Sequence, residues 1–461
     1  MLKYLKIDTF ILLVVAGVLL SCSSSDDSRM AGQESPNKQP PASGVNLELN
    51  WSKSIGGSLN DEVKAIVLLD DDYVVLGNTE SVDGDVDRVR GTQDFWVIKL
   101  NAKGEIIWNN TYGGNDDDRG ESIAKTTDGG FIISGYSRSL DDDVSNNEGS
   151  YDHWIVKLDA AGDLQWEKSF GFLGDDRAFS VKETPDGGFV TAGFLDVDNY
   201  NGPNLKPTKG AKGLKTLHGV GEFWIHKLDR EGNKEWEKFF GGSNNDRASD
   251  IVVTNDGGFI AVGSTESDDF DINKNNGSYD YWAIKINATG ELIWEKTYGG
   301  SEIDMANAII KTADGNYIIV GNSRSSDVDV KENKGNADVW IVKINENGVL
   351  LEQFSMGGSD FDNAEAIYET RSGSFLIAGN TRSNDGDIQE AKGGNDYYLA
   401  EIDQKLQLQW TATLGGAKLD FAYDVLEDAK NNIIIIGDSE SVTDLIDNKG
   451  KKDALVISLS K

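Results

Sequence analysis

The sequence predicts an all-β fold, a seven-bladed β-propeller of four-stranded antiparallel blades closed by the N-terminal strand. Three observations carry this prediction. A tryptophan recurs before an aromatic-Gly-Gly motif, an aspartate recurs ten residues after it, and the last repeat lacks one strand. A long period of this kind is typical of proteins in which each repeat buries its apolar face against the next one.

The two landmarks recur at intervals of 57 or 58 residues, except for one interval of 70. The tryptophan is lost in the copy near Glu352 and stands at Trp51, Trp108, Trp166, Trp236, Trp294 and Trp410. The aspartate is present in all seven copies, at Asp61, Asp118, Asp176, Asp246, Asp304, Asp362 and Asp420. Because this aspartate follows Gly-Gly, we expect it to cap backbone N–H groups between blades.

Each repeat contains four strand-like segments, which we name A to D. Segment A follows the aspartate and carries a small residue two positions later, such as Ala306, so we expect it to be the innermost strand lining the channel. Asp128-Gly129-Gly130 and its copies separate A from B and predict a two-residue hairpin turn with positive φ at both central positions. Segment C reads Asp-aromatic-Trp, and D carries the landmark tryptophan. Four antiparallel strands repeated in this way make a propeller.

The chain ends fit a ring that closes on itself. The sequence ends on a C-type strand, Asp453–Leu459, and begins on a D-type strand around Leu47 to Ile55. The last blade is therefore completed by the N-terminal strand. Closure of this kind leaves no open sheet edge for aggregation.

The composition limits the classes of partner. The formal net charge is −34, with 78 acidic and 44 basic residues, which disfavours a nucleic-acid partner. The same charge also keeps a monomer soluble, and we expect a monomer. A single cysteine excludes an intrachain disulfide, and the three histidines are scattered in sequence.

The N-terminus predicts export and membrane attachment. Residues 1–21 have the basic start and short apolar run of a secretory signal, and Leu19-Leu20-Ser21-Cys22 resembles a bacterial lipobox. We expect Cys22 to be acylated, residues 22–46 to be a polar tether and 47–461 to form the propeller. The alternative is an ordinary cleaved signal. The acidic stretch after Cys22 resembles a surface-export signal, which predicts an outer-membrane protein on the cell surface; a plain linker facing the periplasm is the alternative.

Three motifs carry a resemblance to a known family. They are Asp-[Phe/Tyr]-Trp-x-[Val/Ile]-Lys-[Leu/Ile], Thr-x-Asp-Gly-Gly-[Phe/Tyr] and Tyr-Gly-Gly-[Ser/Asn]-x-x-Asp. From residue 47 onward the chain resembles the propeller-repeat surface lipoproteins of the Bacteroidetes. The run from Lys157 to Trp166 is also similar to the tryptophan motif of quinoprotein-type propellers, which implies that strands C and D are outermost. Phe172 and Tyr397-Tyr398 depart from the pattern.

The D–A turns and B–C loops of a propeller lie on one rim, which we call the shared rim. Its B–C loops carry pairs of aspartates separated by one residue, a spacing that presents oxygen ligands to Ca²⁺. The alternative is that these aspartates shape the turns through hydrogen bonds to their own backbone. The candidate calcium ligands are Asp83, Asp85, Asp141, Asp143, Asp269, Asp271, Asp327, Asp329, Asp385 and Asp387.

The B–C loop of the third blade, within residues 194–222, is longer than its copies and basic. Its candidate contacts for an anionic ligand are Lys206, Lys209, Lys212, Lys215 and His218. An acidic sugar or lipopolysaccharide would suit them. The alternative is an inserted segment whose lysines pair with neighbouring acidic loops.

No catalytic constellation is recognisable in the repeats, so we expect no catalytic residue. The leading hypothesis is a non-enzymatic binding or scaffold module, displayed by its lipid anchor, with a glycan or a cell-surface protein as partner. One alternative is a carbohydrate-active hydrolase or lyase that uses rim carboxylates. The other is a scaffold for outer-membrane assembly. Calcium is the one cofactor considered.

Overall fold

The computed structural model describes residues 45–196 and 219–461, which contain 28 β-strands and no helix that could span a membrane. Their bounds are β1 Glu48–Ile55, β2 Asp61–Leu69, β3 Asp72–Thr79, β4 Asp94–Leu100, β5 Ile106–Tyr112, β6 Asp118–Lys125, β7 Phe131–Ser137, β8 Asp152–Leu158, β9 Leu164–Phe170, β10 Arg177–Glu183, β11 Phe189–Asp196, β12 Gly221–Leu228, β13 Lys234–Phe240, β14 Asp246–Val253, β15 Phe259–Thr265, β16 Asp280–Ile286, β17 Leu292–Tyr298, β18 Asp304–Lys311, β19 Tyr317–Ser323, β20 Asp338–Ile344, β21 Leu350–Met356, β22 Asp362–Glu369, β23 Phe375–Thr381, β24 Asp396–Ile402, β25 Leu408–Leu414, β26 Asp420–Glu427, β27 Ile433–Ser439 and β28 Asp453–Ser460.

The strands form seven four-stranded antiparallel sheets, which confirms the predicted fold class. Blades one to six each use four consecutive strands, starting with β2–β5. The seventh blade has the order β1-β28-β27-β26, so the N-terminal strand completes it. In that pairing Trp51 lies opposite Ser458 and Ile55 opposite Ala454. The ring is closed by hydrogen bonds between the two ends of the propeller.

The A–B turns differ from the sequence prediction. Thr126 and Gly130 pair through backbone hydrogen bonds, and only Gly129 has positive φ, at 87°. The turn therefore spans five residues, 126–130, and the two-residue hairpin predicted from Asp-Gly was wrong. The reason is the side chain of Asp128, which accepts hydrogen bonds from Thr126 Oγ1 (2.5 Å) and Gly130 N (3.0 Å) and holds the wider loop.

Strand A is innermost, because the A strands of neighbouring blades contact one another around the ring. The small residues two positions after the landmark aspartate do not line the channel, however. Ala306 and Ala364 are buried in the hydrophobic core between blades. A Cβ on Gly120 would stand 2.8 Å from Leu76 of the preceding blade. These residues are small because two blades meet there.

The core lies between adjacent blades and is built by strand C. Its tryptophans are fully buried, and Trp154 and Trp282 each contact the aromatic residue that follows the first aspartate of strand C in the preceding blade. The ring centroids of Phe95 and Trp154 are 4.5 Å apart, and those of Phe223 and Trp282 are 4.4 Å apart. The Asp-aromatic-Trp motif is therefore a blade-to-blade contact.

The other two repeated side chains also have structural roles. The ring of Trp51 packs on Gly104 in the C–D turn of the next blade, and its indole N–H donates to Ala102 O (3.3 Å). The strand C lysine reaches the A–B turn of its own blade, as in the ion pair of Lys157 with Asp128 (2.9 Å). The landmark tryptophan thus stabilises the contact between outer strands of neighbouring blades, and the strand C lysine stabilises the A–B turn.

Candidate functional site

The seven periodic aspartates are buried and tie the end of strand B to the D–A turn. The carboxylate of Asp304 accepts hydrogen bonds from Gly300 N (2.7 Å), Ser325 Oγ (2.9 Å) and Ser323 Oγ. Asp61, Asp118, Asp246, Asp362 and Asp420 have the same three kinds of donor. Asp176 instead accepts from the backbone N–H groups of Phe172 (2.7 Å) and Asp196 (3.0 Å). Their role is structural.

A second buried aspartate faces six of these across the blade junction. Asp280, at the start of strand C, and Asp304 flank the first glycine of the D–A turn, Gly299. A Cβ at Gly299 would lie 2.5 Å from Asp280 Oδ1 and 2.6 Å from Asp304 Oδ2, so only glycine fits. Burial and the charge of Asp304 raise the pKa of Asp280 to about 7. At the junction between the third and fourth blades Glu222 replaces the second aspartate.

The Asp-x-Asp pairs lie on the shared rim and hold the D–A turn. Asp327 Oδ1 accepts from Ser301 N (2.8 Å), and Asp329 Oδ2 lies 3.4 Å from Gly299 N. The pairs Asp83/Asp85, Asp141/Asp143, Asp269/Asp271 and Asp385/Asp387 make the same contacts. Across residues 45–196 and 219–461, no group of three or more His, Cys, Asp or Glu side chains is placed to hold a metal. This geometry favours the turn-forming alternative.

Two sets of predicted residues lie outside the part of the chain that the structure describes. They are the candidate lipidation site, Cys22, and the candidate anion-contact loop, Lys206, Lys209, Lys212, Lys215 and His218. Both remain predictions.

The structure brings together a set of residues that the sequence analysis did not single out. Every A strand has a β-bulge three positions after its landmark aspartate, as between Val63 and Ala65 in β2. A bulge leaves one residue outside the ladder and re-aims its side chain. The seven bulged residues line a cavity of about 300 Å³ in the channel and form the channel ring: Lys64, Glu121, Phe179, Ser249, Asn307, Glu365 and Tyr423.

The channel ring is chemically uneven. The Lys64 ammonium lies 3.9 Å from the centre of the Tyr423 ring and 3.6 Å from Glu62 Oε2. Burial raises the pKa of Glu121 and of Glu365, although the charge of Lys64 opposes both shifts. The ring therefore offers a ligand one ammonium group, two carboxyl groups that retain protons more readily than usual, an amide, a hydroxyl and two aromatic rings.

Hydrogen bonds hold the polar members of the ring in place. The Asn363 amide donates to Glu365 Oε1 (2.7 Å), and Asn307 Nδ2 donates to Ala364 O (2.8 Å) in the next blade. Ser249 Oγ likewise donates to Ala306 O (2.8 Å). Contacts from one blade to the next fix these side chains before any ligand arrives, which reduces the entropy lost on binding.

A second cavity, of about 340 Å³, lies between the outer strands of the first two blades. Its lining includes Arg88, Arg90, Asn110, Asp143 and Leu164. The Arg90–Asp143 ion pair (2.8 Å) already spans it. Because all seven blades contribute a side chain to the channel ring, we treat the channel as the candidate site.

The sequence did contain a signal for the channel ring. The position three residues after the landmark aspartate holds six residue types in seven blades, while the position just before it repeats small residues or valine and the position two after it repeats isoleucine or valine. A position that changes in every repeat is free of the packing constraint that the repeat imposes. Without the bulge, however, strand alternation does not tell whether this side chain faces the channel or the core.

No protein-family model matches the chain. The regulatory protein FlaEY of Caulobacter vibrioides is 24% identical over 233 residues, which are 47% of this chain and 23% of that protein. Among solved structures, the WD40 propeller domain of Doa1 has a TM-score of 0.49 at 13% identity, over 90% of this chain and 97% of that one. The Neurospora crassa Pan2 WD40 domain has a TM-score of 0.48 at 9% identity, over 90% and 96%. YCF48 bound to D1 peptide has 0.46 at 11%, over 92% and 100%.

Proposed function

We propose that the propeller is a non-enzymatic binding or scaffold module whose ligand enters the channel from the shared rim. The observation that supports this is the channel ring. All seven blades repeat the landmark aspartate and most repeat the turns and tryptophans, yet the bulged position differs from blade to blade. Concave sites lined by a few convergent polar groups and aromatic rings are typical ligand sites. Its partner is a glycan or a cell-surface protein.

The test compares binding by the wild-type protein and by a channel variant. A glycan array and a pull-down from cell-envelope proteins are run with the wild type, with Phe179→Ala/Tyr423→Ala and with the control Arg88→Ala at the outer cavity. We expect a ligand that the double variant loses and the control retains. A ligand bound equally well by all three proteins would place the site elsewhere.

A second candidate function is glycan cleavage. Glu121 and Glu365 share the channel, and the raised pKa of a buried glutamate suits it to act as a general acid near neutral pH. This candidate uses channel carboxyls in place of the rim carboxylates that hold the D–A turns. Release of reducing ends or unsaturated products from a polysaccharide panel, lost in both Glu121→Gln and Glu365→Gln, would establish it and displace the binding proposal.

We also propose that the module is held at the outer membrane by a lipid on Cys22 and displayed on the cell surface. The support is the lipobox-like run that ends at this single cysteine. Labelling with a fatty-acid analogue is expected for the wild type and not for Cys22→Ala, and protease added to intact cells should remove the propeller. An assembly scaffold facing the periplasm would resist that protease and copurify with an outer-membrane protein.

A further inference from the structure

Four arginines surround one half of the channel mouth on the shared rim. Arg119, Arg177 and Arg247 each follow the landmark aspartate of the second, third and fourth blades, and Arg138 follows strand B of the second blade. We call this group the arginine crescent. It is a local concentration of guanidinium groups on a chain whose net charge is −34.

Aromatic rings fix the guanidinium groups of the crescent. The Arg177 group lies 4.8 Å from the centre of the Tyr136 ring and 4.9 Å from that of Tyr151. Arg138 also lies over Tyr151, at 5.2 Å, and Arg247 lies 4.5 Å from the centre of the Phe194 ring. A guanidinium stacked on a ring keeps its N–H edge available for a planar acceptor such as a carboxylate.

The crescent is incompletely neutralised. Arg119 is paired with Asp117, through Nε (3.0 Å) and Nη2 (3.0 Å), whereas Arg177 has one longer contact with Asp175 (3.4 Å). Arg247 donates through Nε to the neutral amide of Asn245 (3.0 Å). Within the described residues neither Arg247 nor Arg138 has an ion pair with a carboxylate at 4.0 Å or less.

On the other half of the mouth, apolar side chains stand beside two further arginines, Arg324 and Arg382, and Arg382 lies 5.7 Å from the centre of the Phe361 ring. Met305, in the fifth blade, is 41% exposed and Leu419, before the seventh, is 37% exposed. Phe361 and Phe421 are half-buried beside them. These four residues form the apolar crescent, opposite the arginines across the same channel. The mouth therefore combines a half with four arginines and a half with exposed apolar side chains and two arginines.

We propose that this mouth binds a peptide segment of a partner protein in which a carboxylate stands beside apolar side chains. Charge complementarity on the arginine crescent and apolar contact on the other crescent call for both features in one ligand. A neutral glycan is disfavoured, because the guanidinium groups already cover aromatic faces on which a sugar would stack. This inference rests on the proposed function and assigns its ligand class.

The test is a selection from a library of random dodecapeptides on the wild-type protein. We expect enrichment of sequences that combine Asp or Glu with Leu, Ile or Phe. Synthetic copies of the selected peptides should bind Arg247→Ala and Arg177→Ala about tenfold or more weakly. They should bind Arg230→Ala, an arginine of the third-blade C–D turn, as tightly as the wild type. Melting curves check that each variant is folded.

Three outcomes would overturn the inference. One is a selection without enrichment, another is enrichment of peptides that lack a carboxylate, and the third is equal affinity for Arg247→Ala and the wild type. If polygalacturonate or another glycan binds and depends on Phe179 and Tyr423 while no peptide is selected, this inference fails and the proposed function stands. If neither binds at the channel, both fail.

Discussion

The ammonium group of Lys64 lies 3.9 Å from the centre of the Tyr423 ring, inside the channel. Lys64 belongs to the first blade and Tyr423 to the seventh, so this contact crosses one junction of the ring. Lys64 also lowers the pKa of Glu62 together with Lys452, against the effect of burial. The Lys64 side chain thus contacts a neighbouring blade, and its charge favours the ionised form of the channel carboxylates.

Replacing Lys64 with methionine should destabilise the protein most at alkaline pH. The change removes a cation–π contact worth about 1–2 kcal/mol and takes away the positive charge that opposes the raised pKa of Glu121 and Glu365. At pH 8 we expect a lower melting temperature than in the wild type. The difference should shrink as the pH falls, because burial raises the pKa of Glu121 and Glu365 and favours their neutral forms. Lys64→Arg is the control; equal melting of Lys64→Met and wild type at pH 8 would contradict the prediction.

Removal of a landmark aspartate should lower the free energy of unfolding far more than removal of an aspartate in an A–B turn. Asp304→Ala leaves three donors without their acceptor in a fully buried site, so we expect a loss of more than about 2 kcal/mol in the free energy of unfolding. Asp314→Ala removes an ion pair with Lys343 whose carboxylate is half exposed, and should cost less than about 1 kcal/mol. Chemical denaturation measures both free energies of unfolding. Similar losses in the two variants would contradict the prediction.

The buried aspartate pairs should make the protein more stable in mild acid. The pKa of Asp280 is about 7 in the folded protein, above the ordinary value near 4, so the folded state binds more protons between those values. Stability therefore falls as pH rises from about 4 to about 7. The pKa values of Asp186 and Asp256 are lowered to about 2. Their contribution to the stability of the protein is therefore lost only at pH below about 4.

Asp280→Asn tests this pH dependence directly. The amide removes one charge of the pair, so the variant should be more stable than the wild type by at least about 1 kcal/mol at pH 8 and nearly equal to it at pH 4. Melting curves at several pH values measure the difference. If the variant is less stable than the wild type by the same amount at every pH, Asp280 and Asp304 do not repel each other.

Ring closure predicts a sharp boundary for N-terminal truncation. Deleting residues 1–44 leaves β1 intact and should not change the melting temperature of the propeller. Deleting residues 1–57 removes β1 and exposes the edge of β28, which favours association through that edge. We expect the shorter protein to melt at least several degrees lower and to aggregate in light scattering. A monomeric product with wild-type melting would refute this role of β1.

Calcium should have little effect on stability, because the Asp-x-Asp carboxylates hold backbone N–H groups of the D–A turns. We expect melting temperatures in roughly 1 mM calcium and in excess chelator to agree within about 2 °C. A clear rise in calcium that disappears in Asp327→Asn/Asp329→Asn would establish the calcium site predicted from the sequence.

Much of the fold was predictable because its constraints repeat. The landmark aspartates, the Asp-aromatic-Trp motif and the split last blade each appear in the sequence and have the expected places in the sheets. The predicted type of the A–B turn was wrong, because the Asp128 side chain accepts hydrogen bonds that hold a wider loop. Strand A is innermost as predicted from its small residues, and the structure adds that Ala306 and its copies pack between blades.

The sequence by itself determined the number of blades, their strand composition and the closure by β1, since each follows from a period or from where a strand type begins and ends. Only the tertiary structure decided which side chains face the channel. A β-bulge moves one residue per blade out of the alternation, and residues more than 350 positions apart, such as Lys64 and Tyr423, then meet. The same holds for the arginine crescent, because its members come from three blades that only ring closure places around one mouth.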